Sequence, residues 1–326
     1  VWHENASIDA YFAVTPRFCS EFGYQSFPSL DTIATYAPKD QFNATAPIME
    51  HHQRHPGGNS KITEMMTRYF RVPEGFENFV FLSQVQQGLA IKSGVEFWRH
   101  LQPICMGTLY WQLNDVWPVC SWSSIEYTGK WKCLHYMAKR FCAPVIVTSF
   151  ENKVGELEIW VVNDLHQDQD ITVKMQVLDF DGKTRRADAY RKKVAAGGAK
   201  LIARYPVSEL APVPNEVFLY LELEGKGVYH YNDHFFAAYK KCYLPLVNCD
   251  CEIEEAGGSF EVIVRSDKPA LFLTLDAQGI PGEFDDNCFT LLPEKPRRLV
   301  FTPKSDITLT ELQETLKIRH LRSTYR

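Results

Sequence analysis

The sequence predicts an α/β segment followed by two β-sandwiches, and two observations support this fold class. Up to about residue 143, strand-like and helix-like segments alternate, as they do in parallel sheets covered by helices. Beyond that point, short runs alternate apolar and polar residues with a period of two, and turn residues separate the runs. We therefore expect three domains, at residues 1–142, 143–240 and 241–326.

The first segment contains two units in which a strand is followed by helices. Short buried strands are expected at Arg17–Gly23 and Gly107–Leu113. One helix is expected to be capped by Asn59-Ser60 and to reach Tyr69, and a second to span Phe76 to His100. A closing helix is indicated by apolar residues at helical spacing, namely Trp131, Leu134, Met137, Ala138 and Phe141. Two such units could form the last quarter of a (β/α)8 barrel, because a whole barrel needs ~250 residues.

The remainder of the chain has the pattern of antiparallel sheets. Apolar residues recur at every second position in Ile171–Val177, Val217–Leu223 and Phe260–Val264. Glycine-containing turns such as Asp181-Gly182 separate these runs. The region is long enough for two sandwiches of roughly 90–100 residues each. We place the break between them near Lys241.

Glu21 is the first candidate for chemistry. It lies near the C-terminal end of the first predicted strand, between Ser20 and Phe22. In a parallel barrel this end of each strand faces the active-site mouth, so a carboxylate here can be catalytic. The alternative is a structural glutamate that caps the strand or pairs with Arg17. Position and spacing leave both interpretations open.

The second candidate is the segment Thr108–Pro118, which combines aromatic and hydrogen-bonding side chains. Trp111 is followed, after two intervening residues, by Asn114 and Asp115. Sugars pack their C–H faces on aromatic rings, and their hydroxyls need fixed polar partners, so the pattern suits a carbohydrate site. A core tryptophan followed by an Asn-Asp turn would give the same pattern.

Several segments together resemble the β-mannosidases of glycoside hydrolase family 2. Pro16–Ser29 resembles their nucleophile segment, Glu50–Asn59 the loop after barrel strand seven, and Tyr110–Pro118 their eighth strand. Val1-Trp2-His3 is similar to the tail of strand six. The segments occur in the order that the family has, and linked motifs over about 140 residues are more specific than any single one.

The resemblance implies a fold and a mechanism. The fold would be the C-terminal part of a (β/α)8 TIM barrel followed by two immunoglobulin-like β-sandwich domains. The activity would be that of a retaining exo-β-mannosidase, with Glu21 as nucleophile and a second glutamate as acid/base. That second residue follows an asparagine at the end of strand four in the family, and no such pair precedes Glu21. We therefore expect a fragment that is inactive alone; if it were active, Glu4, Glu50 or Glu126 would have to supply the acid.

The resemblance also implies how the sugar is held. Trp111 would form the floor of the subsite for the terminal mannose, with a cis peptide bond to Gln112. The other expected substrate-binding residues are Trp2, His3, His51, His52, Arg54 and Asp115. His51 and His55 have the spacing of a helical metal pair, but Pro56 ends any helix there, so neither a metal nor a cofactor is expected.

Composition excludes other classes of function. The net charge of −5, without a basic stripe, argues against nucleic-acid binding, and no apolar run approaches the ~20 residues of a membrane span. The nine cysteines match no disulfide or zinc pattern, which favours free thiols in a reducing compartment. A cytoplasmic location is expected, with a secreted or lysosomal one left open, and a homodimer is compatible with the sequence.

Two other functions stay open beside the first. Another family 2 glycosidase, such as a β-galactosidase, β-glucuronidase or exo-β-glucosaminidase, would keep the fold and Glu21 and differ in the sugar. A non-catalytic carbohydrate-binding fragment would instead use the sandwiches to hold glycans. The first hypothesis, an exo-β-mannosidase, predicts a β-mannoside oligosaccharide or glycoconjugate as substrate. Assays with a panel of aryl glycosides distinguish the three functions.

Overall fold

The computed structural model describes all 326 residues of the chain. In the first segment, two strands pair in parallel, β1 (Cys19–Gly23) and β2 (Thr108–Trp111). Five α-helices accompany them: α1 (Leu30–Ile33), α2 (Pro47–His51), α3 (Gly58–Tyr69), α4 (Gly75–His100) and α5 (Cys133–Phe141). The order of strand, helices, strand and helix is the one expected from the sequence.

The helices form where apolar residues recur at helical spacing. Helix α3 buries Ile62, Met65 and Met66, and α4 begins one residue before its expected start, so both predictions are confirmed. The expected cap of α3 at Asn59 or Ser60 is wrong. The helix is preceded by Gly57, whose φ of +72° is the left-handed conformation that glycine adopts most easily.

Strands β1 and β2 differ from the fully buried strands that the sequence predicts. Phe18 is 53% exposed and Leu109 is 57% exposed, so the strand pair has an open face. The opposite face packs on α4, where the ring of Phe22 lies edge-on to Trp98 with centroids 4.8 Å apart. The error arose because short apolar runs look alike whether one face or both are covered.

Seven strands form the first sandwich. They are β3 (Val145–Glu151), β4 (Glu156–Asn163), β5 (Gln169–Asp179), β6 (Thr184–Val194), β7 (Gly198–Pro206), β8 (Val217–Gly225) and β9 (Val228–Phe235), with the short helix α6 (Val207–Leu210) after β7. One sheet has the order β3-β4-β7 and the other β6-β5-β8-β9, and every pairing is antiparallel. The period-two prediction is confirmed, because Val173, Met175 and Leu221 are fully buried between the sheets.

Seven more strands form the second sandwich. They are β10 (Cys249–Ala256), β11 (Ser259–Ser266), β12 (Ala270–Ala277), β13 (Gly282–Phe284), β14 (Phe289–Leu291), β15 (Arg297–Pro303) and β16 (Leu316–Arg319), with helix α7 (Leu309–Thr315) before β16. The sheet orders are β10-β11-β15-β13 and β14-β12-β16. Helix α7 starts with a capping box, in which Thr308 and Glu311 each bind the other's backbone N–H.

Polar side chains tie the three parts together. Lys130, just before α5, contacts Asp31 at 2.7 Å and Asp276 of the second sandwich at 2.6 Å. Glu96 of α4 accepts hydrogen bonds from Thr148 and Asn232 of the first sandwich. These contacts hold each sandwich against the helical layer, while the limits of the three domains, near residues 142 and 241, stay predictions. None of the helices combines the length and apolarity needed to cross a membrane.

Candidate active site

Glu21 lies on a bulge of β1. Cys19 pairs with Thr108 and Phe22 with Tyr110, so β1 contains one more residue than β2 over the same stretch. Both residues inside this bulge, Ser20 and Glu21, are exposed. A bulge re-aims a side chain and is over-represented near active sites. The Glu21 carboxylate makes no hydrogen bond or ion pair within the chain, so the structural pairing with Arg17 is absent.

Trp111 ends β2 directly opposite Gly23. Paired residues point to the same side of a sheet, and residues two apart on a strand share a face, so Glu21, Gly23 and Trp111 belong to one face. The Trp111 side chain is 49% exposed there. The expected cis peptide bond between Trp111 and Gln112 is present. The open face of the strand pair thus offers a free carboxylate beside an aromatic surface.

The loop after β2 is organised around Asp115. One carboxylate oxygen accepts from Gln112 Nε2 at 3.0 Å, and the other accepts from the hydroxyl of Ser123 at 2.5 Å. The hydroxyl of Ser121 lies 2.8 Å from both oxygens. Asp115 was expected to hold the sugar, and in this structure its oxygens are occupied by the loop. The contacts fix the path of the chain after Trp111.

The two expected histidines lie at the end of α2, with His51 as its last residue and His52 directly after it. His52 stacks on Tyr36, with ring centroids 3.8 Å apart, and its Nδ1 lies 2.6 Å from the carbonyl of Pro118. Because a carbonyl can only accept, His52 carries the proton on Nδ1. His51 is exposed, with its ring 6.3 Å from that of Trp117, and the exposed guanidinium of Arg54 has no partner within the chain.

The segment 52–54, which follows α2, and the loop after β2 are paired along their backbones. These two segments are called the two loops below. The N–H of Cys120 donates to His52 at 2.7 Å, and the N–H of Arg54 donates to Cys120 at 3.0 Å. One residue further on, the N–H of Ser26 donates to Ser121 at 3.0 Å. Residues 120–121 therefore lie between the chain that leaves β1 and the segment 52–54. This pairing was not predicted, because nothing in the local sequence of either loop indicates a partner.

Trp2 and His3 occupy different positions although they are adjacent in sequence. Trp2 is only 4% exposed, and its ring lies edge-on to Tyr24 at 5.2 Å and to Trp122 at 6.2 Å. Trp2 therefore packs beneath the site, and its ring has no exposed face that could contact a sugar. His3 is exposed, and its ring lies 6.0 Å from that of His55.

A buried charged cluster, which sequence reasoning missed, lies beneath the two loops. Lys132 is fully buried, and its Nζ donates to the carbonyl of Ser26 at 3.3 Å. Burial lowers the pKa of Lys132, while the negative charges of Asp115 and Glu126 oppose that shift. The sequence gives no signal for this cluster, because a lysine before a helix is usually solvated.

Glu126 was one of the residues considered as a catalytic acid, but its contacts in the structure are those of a structural residue. It is 2% exposed, and its two oxygens accept from the backbone N–H and the hydroxyl of Ser29, each at 2.7 Å. The hydroxyl of Thr32 adds a third contact at 2.6 Å. Glu126 therefore anchors the start of α1. No group of three or more His, Cys, Asp or Glu side chains is arranged to hold a metal ion.

Family models match both sandwiches. Residues 155–241 match the model described as a mannosidase Ig/CBM-like domain, and residues 244–324 match a mannosidase model described as an Ig-fold domain. The expectation of two immunoglobulin-like domains is therefore confirmed.

Relatives extend the similarity into the helical segment. The β-mannosidase of Capra hircus is 32% identical over 332 residues, which include 95% of this chain and 38% of that protein. β-Mannosidase A of Aspergillus oryzae is 29% identical over 349 residues, which include 94% of this chain and 38% of that protein. The chain thus spans about two fifths of the length of these relatives.

Solved structures agree with the sequence comparison. The crystal structure of a β-D-mannosidase from Dictyoglomus thermophilum covers 98% of this chain, which covers 39% of it, with a TM-score of 0.89 and 28% identity. An exo-chitosanase from Amycolatopsis orientalis covers 91% of this chain, which covers 40% of it, with a TM-score of 0.68 and 15% identity, a likeness of fold alone. Mannosidase-type domain models match both sandwiches, and β-mannosidase sequences align along nearly the whole chain, so this chain is similar to β-mannosidases from the helical segment to the second sandwich.

Proposed function

We propose that the chain is the part of a retaining exo-β-mannosidase that carries the nucleophile, Glu21. The observation that carries the proposal is the free, exposed carboxylate of Glu21 on the same strand face as Trp111. We further propose that β1 and β2 are the seventh and eighth strands of a (β/α)8 barrel. Their parallel pairing supports this, because neighbouring strands of such a barrel run parallel to each other.

The chemistry assigned to Glu21 is a double displacement. A carboxylate oxygen of Glu21 attacks the anomeric carbon of the terminal mannose, and the bond from that carbon to the leaving oxygen breaks. The leaving oxygen takes a proton from the acid/base residue. Water, deprotonated by the same residue, then attacks the anomeric carbon and releases mannose and the Glu21 carboxylate. Two such displacements restore the original anomeric configuration.

The acid/base residue would have to lie roughly 5–5.5 Å from Glu21, across the scissile bond. Glu50 of α2 is exposed and stays the alternative acid, whereas Asp115 is occupied by three side chains and Glu126 is buried against α1. Neither is free to give a proton to a departing oxygen. We propose that the acid/base glutamate is not among the residues of this chain, so that the 326 residues alone do not hydrolyse β-mannosides.

The substrate-binding roles divide according to exposure. Trp111 is proposed as the surface on which the apolar side of the mannose ring packs. His51 and Arg54 are exposed and without partners in the chain, and they are proposed to reach sugar hydroxyls. His52, Asp115 and Trp2 are proposed as supports, since the first two are engaged by the loops and the third is buried.

A mechanism-based label tests the assignment of the nucleophile. The full-length enzyme is incubated with a 2-deoxy-2-fluoro-β-mannosyl fluoride, whose fluorine slows release of the glycosyl-enzyme. Peptide mapping is expected to find the sugar on Glu21. A label on any other carboxylate would overturn the proposal. A parallel assay with aryl β-mannoside, β-galactoside, β-glucuronide and β-glucosaminide tests the sugar, and a preference other than mannose would move the chain to another branch of family 2.

A further inference from the structure

A groove lies between the helical layer and the first sandwich. Its volume is about 500 Å³, within the range typical of small-molecule sites. One wall comes from α3, α4 and the short helix Ile8–Ala13, and the other from β3 and the end of β9. None of the residues assigned to the candidate active site lines this groove.

Aromatic side chains dominate its walls. The aromatic residues that line it are Phe12, Tyr69, Phe70, Phe150, Phe235, Phe236 and Tyr239. Neighbouring rings hold one another in place: Phe70 and Tyr239 stack with centroids 5.3 Å apart, and Phe12 lies edge-on to Phe150 at 5.8 Å. Phe70 and Phe150 are only 2% and 6% exposed, so the partly exposed rings of Phe12, Phe235 and Tyr239 are those that present apolar faces to whatever enters the groove.

A buried amide supplies an unused hydrogen-bond acceptor. Gln86 lines the groove and has no exposed surface. Its Nε2 donates to the hydroxyl of Tyr24 at 2.8 Å and to the carbonyl of Ile62 at 3.4 Å, but its Oε1 has no partner. A buried acceptor without a donor is costly, but Gln86 has no surface open to the groove, so a ligand donor reaches its Oε1 only when neighbouring side chains shift.

Neutral hydroxyl groups complete the polar part of the groove. The oxygen of Tyr69 accepts the N–H of Ile8 at 2.7 Å, which leaves the phenolic proton free to donate. The hydroxyls of Ser93 and Ser149 line the groove and have no partner within the chain. Together with Gln86, these groups can both donate to and accept from a ligand.

The charged groups of the groove are already engaged with the protein. Glu96 accepts from Thr148 and Asn232, and lies 3.6 Å from the amine of Lys92. Asp233 accepts from the hydroxyl of Thr290 at 2.5 Å, and Asp9 accepts from Ser7. His234 faces Glu151 at 3.1 Å. The groups that remain free are neutral, so a neutral ligand fits better than an ion.

We propose that this groove binds a pyranose sugar, as a second carbohydrate site separate from the one at Glu21. A pyranose has the required combination of features, since its C–H faces pack on aromatic rings while its hydroxyls donate to Gln86 and accept from Tyr69. The site would hold glycan beside the helical layer without taking part in hydrolysis. The proposal does not depend on Glu21 being the nucleophile.

Binding of β-1,4-mannobiose tests the proposal. The chain carries Trp111→Ala to weaken binding at the candidate active site, and the disaccharide is titrated by calorimetry and by saturation-transfer NMR. One binding event is expected to persist in this variant. Absence of binding, or binding of choline but not of mannobiose, would overturn the assignment to a sugar.

Two further substitutions locate the binding event. Gln86→Leu removes the unpaired acceptor and is expected to raise the dissociation constant about tenfold. Ser93→Trp places a large ring in the groove from a partly exposed position and is expected to abolish binding, which keeps the test decisive if Gln86→Leu does not fold. Ser208→Trp, on the exposed part of α6, is the matched control and should bind normally. Unchanged binding in Ser93→Trp would place the sugar elsewhere.

Discussion

Gly23 and Trp111 are in contact across the parallel strand pair, and a Cβ atom on Gly23 would lie 2.6 Å from the carbonyl oxygen of Trp111. The same atom would lie 2.8 Å from the ring of Trp122. No real Cβ atom approaches a backbone oxygen so closely. The absence of a side chain at position 23 therefore lets the two strands, and the residues at their ends, lie as close as they do.

Gly23→Ala is expected to move the backbone at Trp111 and to disturb the site. We expect a loss of about 1–3 kcal/mol of stability, the usual effect of overpacking, and at least a tenfold loss of kcat/KM in the full-length enzyme. Thermal unfolding and steady-state kinetics measure the two effects. Gly198→Ala is the matched control, because a Cβ there has nothing nearer than 3.5 Å. Equal behaviour of the two variants would contradict the close contact.

Glu21→Gln separates catalysis from folding. Because the side chain is exposed and makes no contact of its own, the free energy of unfolding should change by no more than about 0.5 kcal/mol. Hydrolysis of an aryl β-mannoside by the full-length enzyme should fall by a factor on the order of 10³ or more. Glu50→Gln, an exposed carboxylate on α2, should keep normal activity. Retained activity in Glu21→Gln would remove Glu21 as the nucleophile.

Lys132→Met is expected to destabilise both loops of the site. Without the buried amine, Asp115 and Glu126 are left as negative charges with no cation between them. Removing one partner from a buried charged cluster typically costs ~3–5 kcal/mol, and urea unfolding of the variant should show a loss of this order. Lys226→Met, at an exposed turn, is the control and should be neutral. If both variants are equally stable, the cluster does not hold the loops.

His230 makes the stability depend on pH. Burial lowers the pKa of this histidine from its ordinary 6.5 to about 3, and the cations Lys92, Arg140 and Arg99 act in the same direction. Its Nδ1 accepts the N–H of Val147, which a protonated ring could not do.

The sign of the effect follows from these two pKa values. Above pH 6.5 the ring is neutral in both the folded and the unfolded chain, and its contribution to stability is complete. As the pH falls from 6.5 towards 3, the unfolded chain takes up the proton first and stability is lost, by about 2 kcal/mol at pH 5. In His230→Gln, the difference between the free energies of unfolding at pH 7.5 and at pH 5 should be smaller than in the unsubstituted chain by this amount. His166→Gln, at an exposed position, should keep the full difference.

The sequence predicted those elements whose cause is local. The helical spacing of Ile62, Met65 and Met66 and the period of two at Val173 and Met175 each follow from which side chains one element must bury. The cis bond after Trp111 was expected from the resemblance to the family, and local pattern did not indicate it.

Features that depend on distant parts of the chain could not be predicted in this way. The open face of β1 and β2 depends on what covers them, and the bulge at Glu21 depends on the register against β2. Asp115 was expected at the sugar because its sequence neighbours are Trp111 and Asn114, whereas its contacts are with Ser121 and Ser123. Lys132 shows no pattern of its own and becomes notable only through Asp115 and Glu126.

The backbone pairing of residues 120–121 with Ser26 and with residues 52–54 has a consequence for protein engineering. The two loops form one hydrogen-bonded unit, although about 60 residues separate them along the chain. A specificity graft that replaces only 50–55 with a loop of different backbone path would leave Cys120 without its backbone hydrogen bonds to residues 52 and 54. Donor loops would therefore have to be transplanted as a pair, 50–55 together with 117–123, from a single parent enzyme.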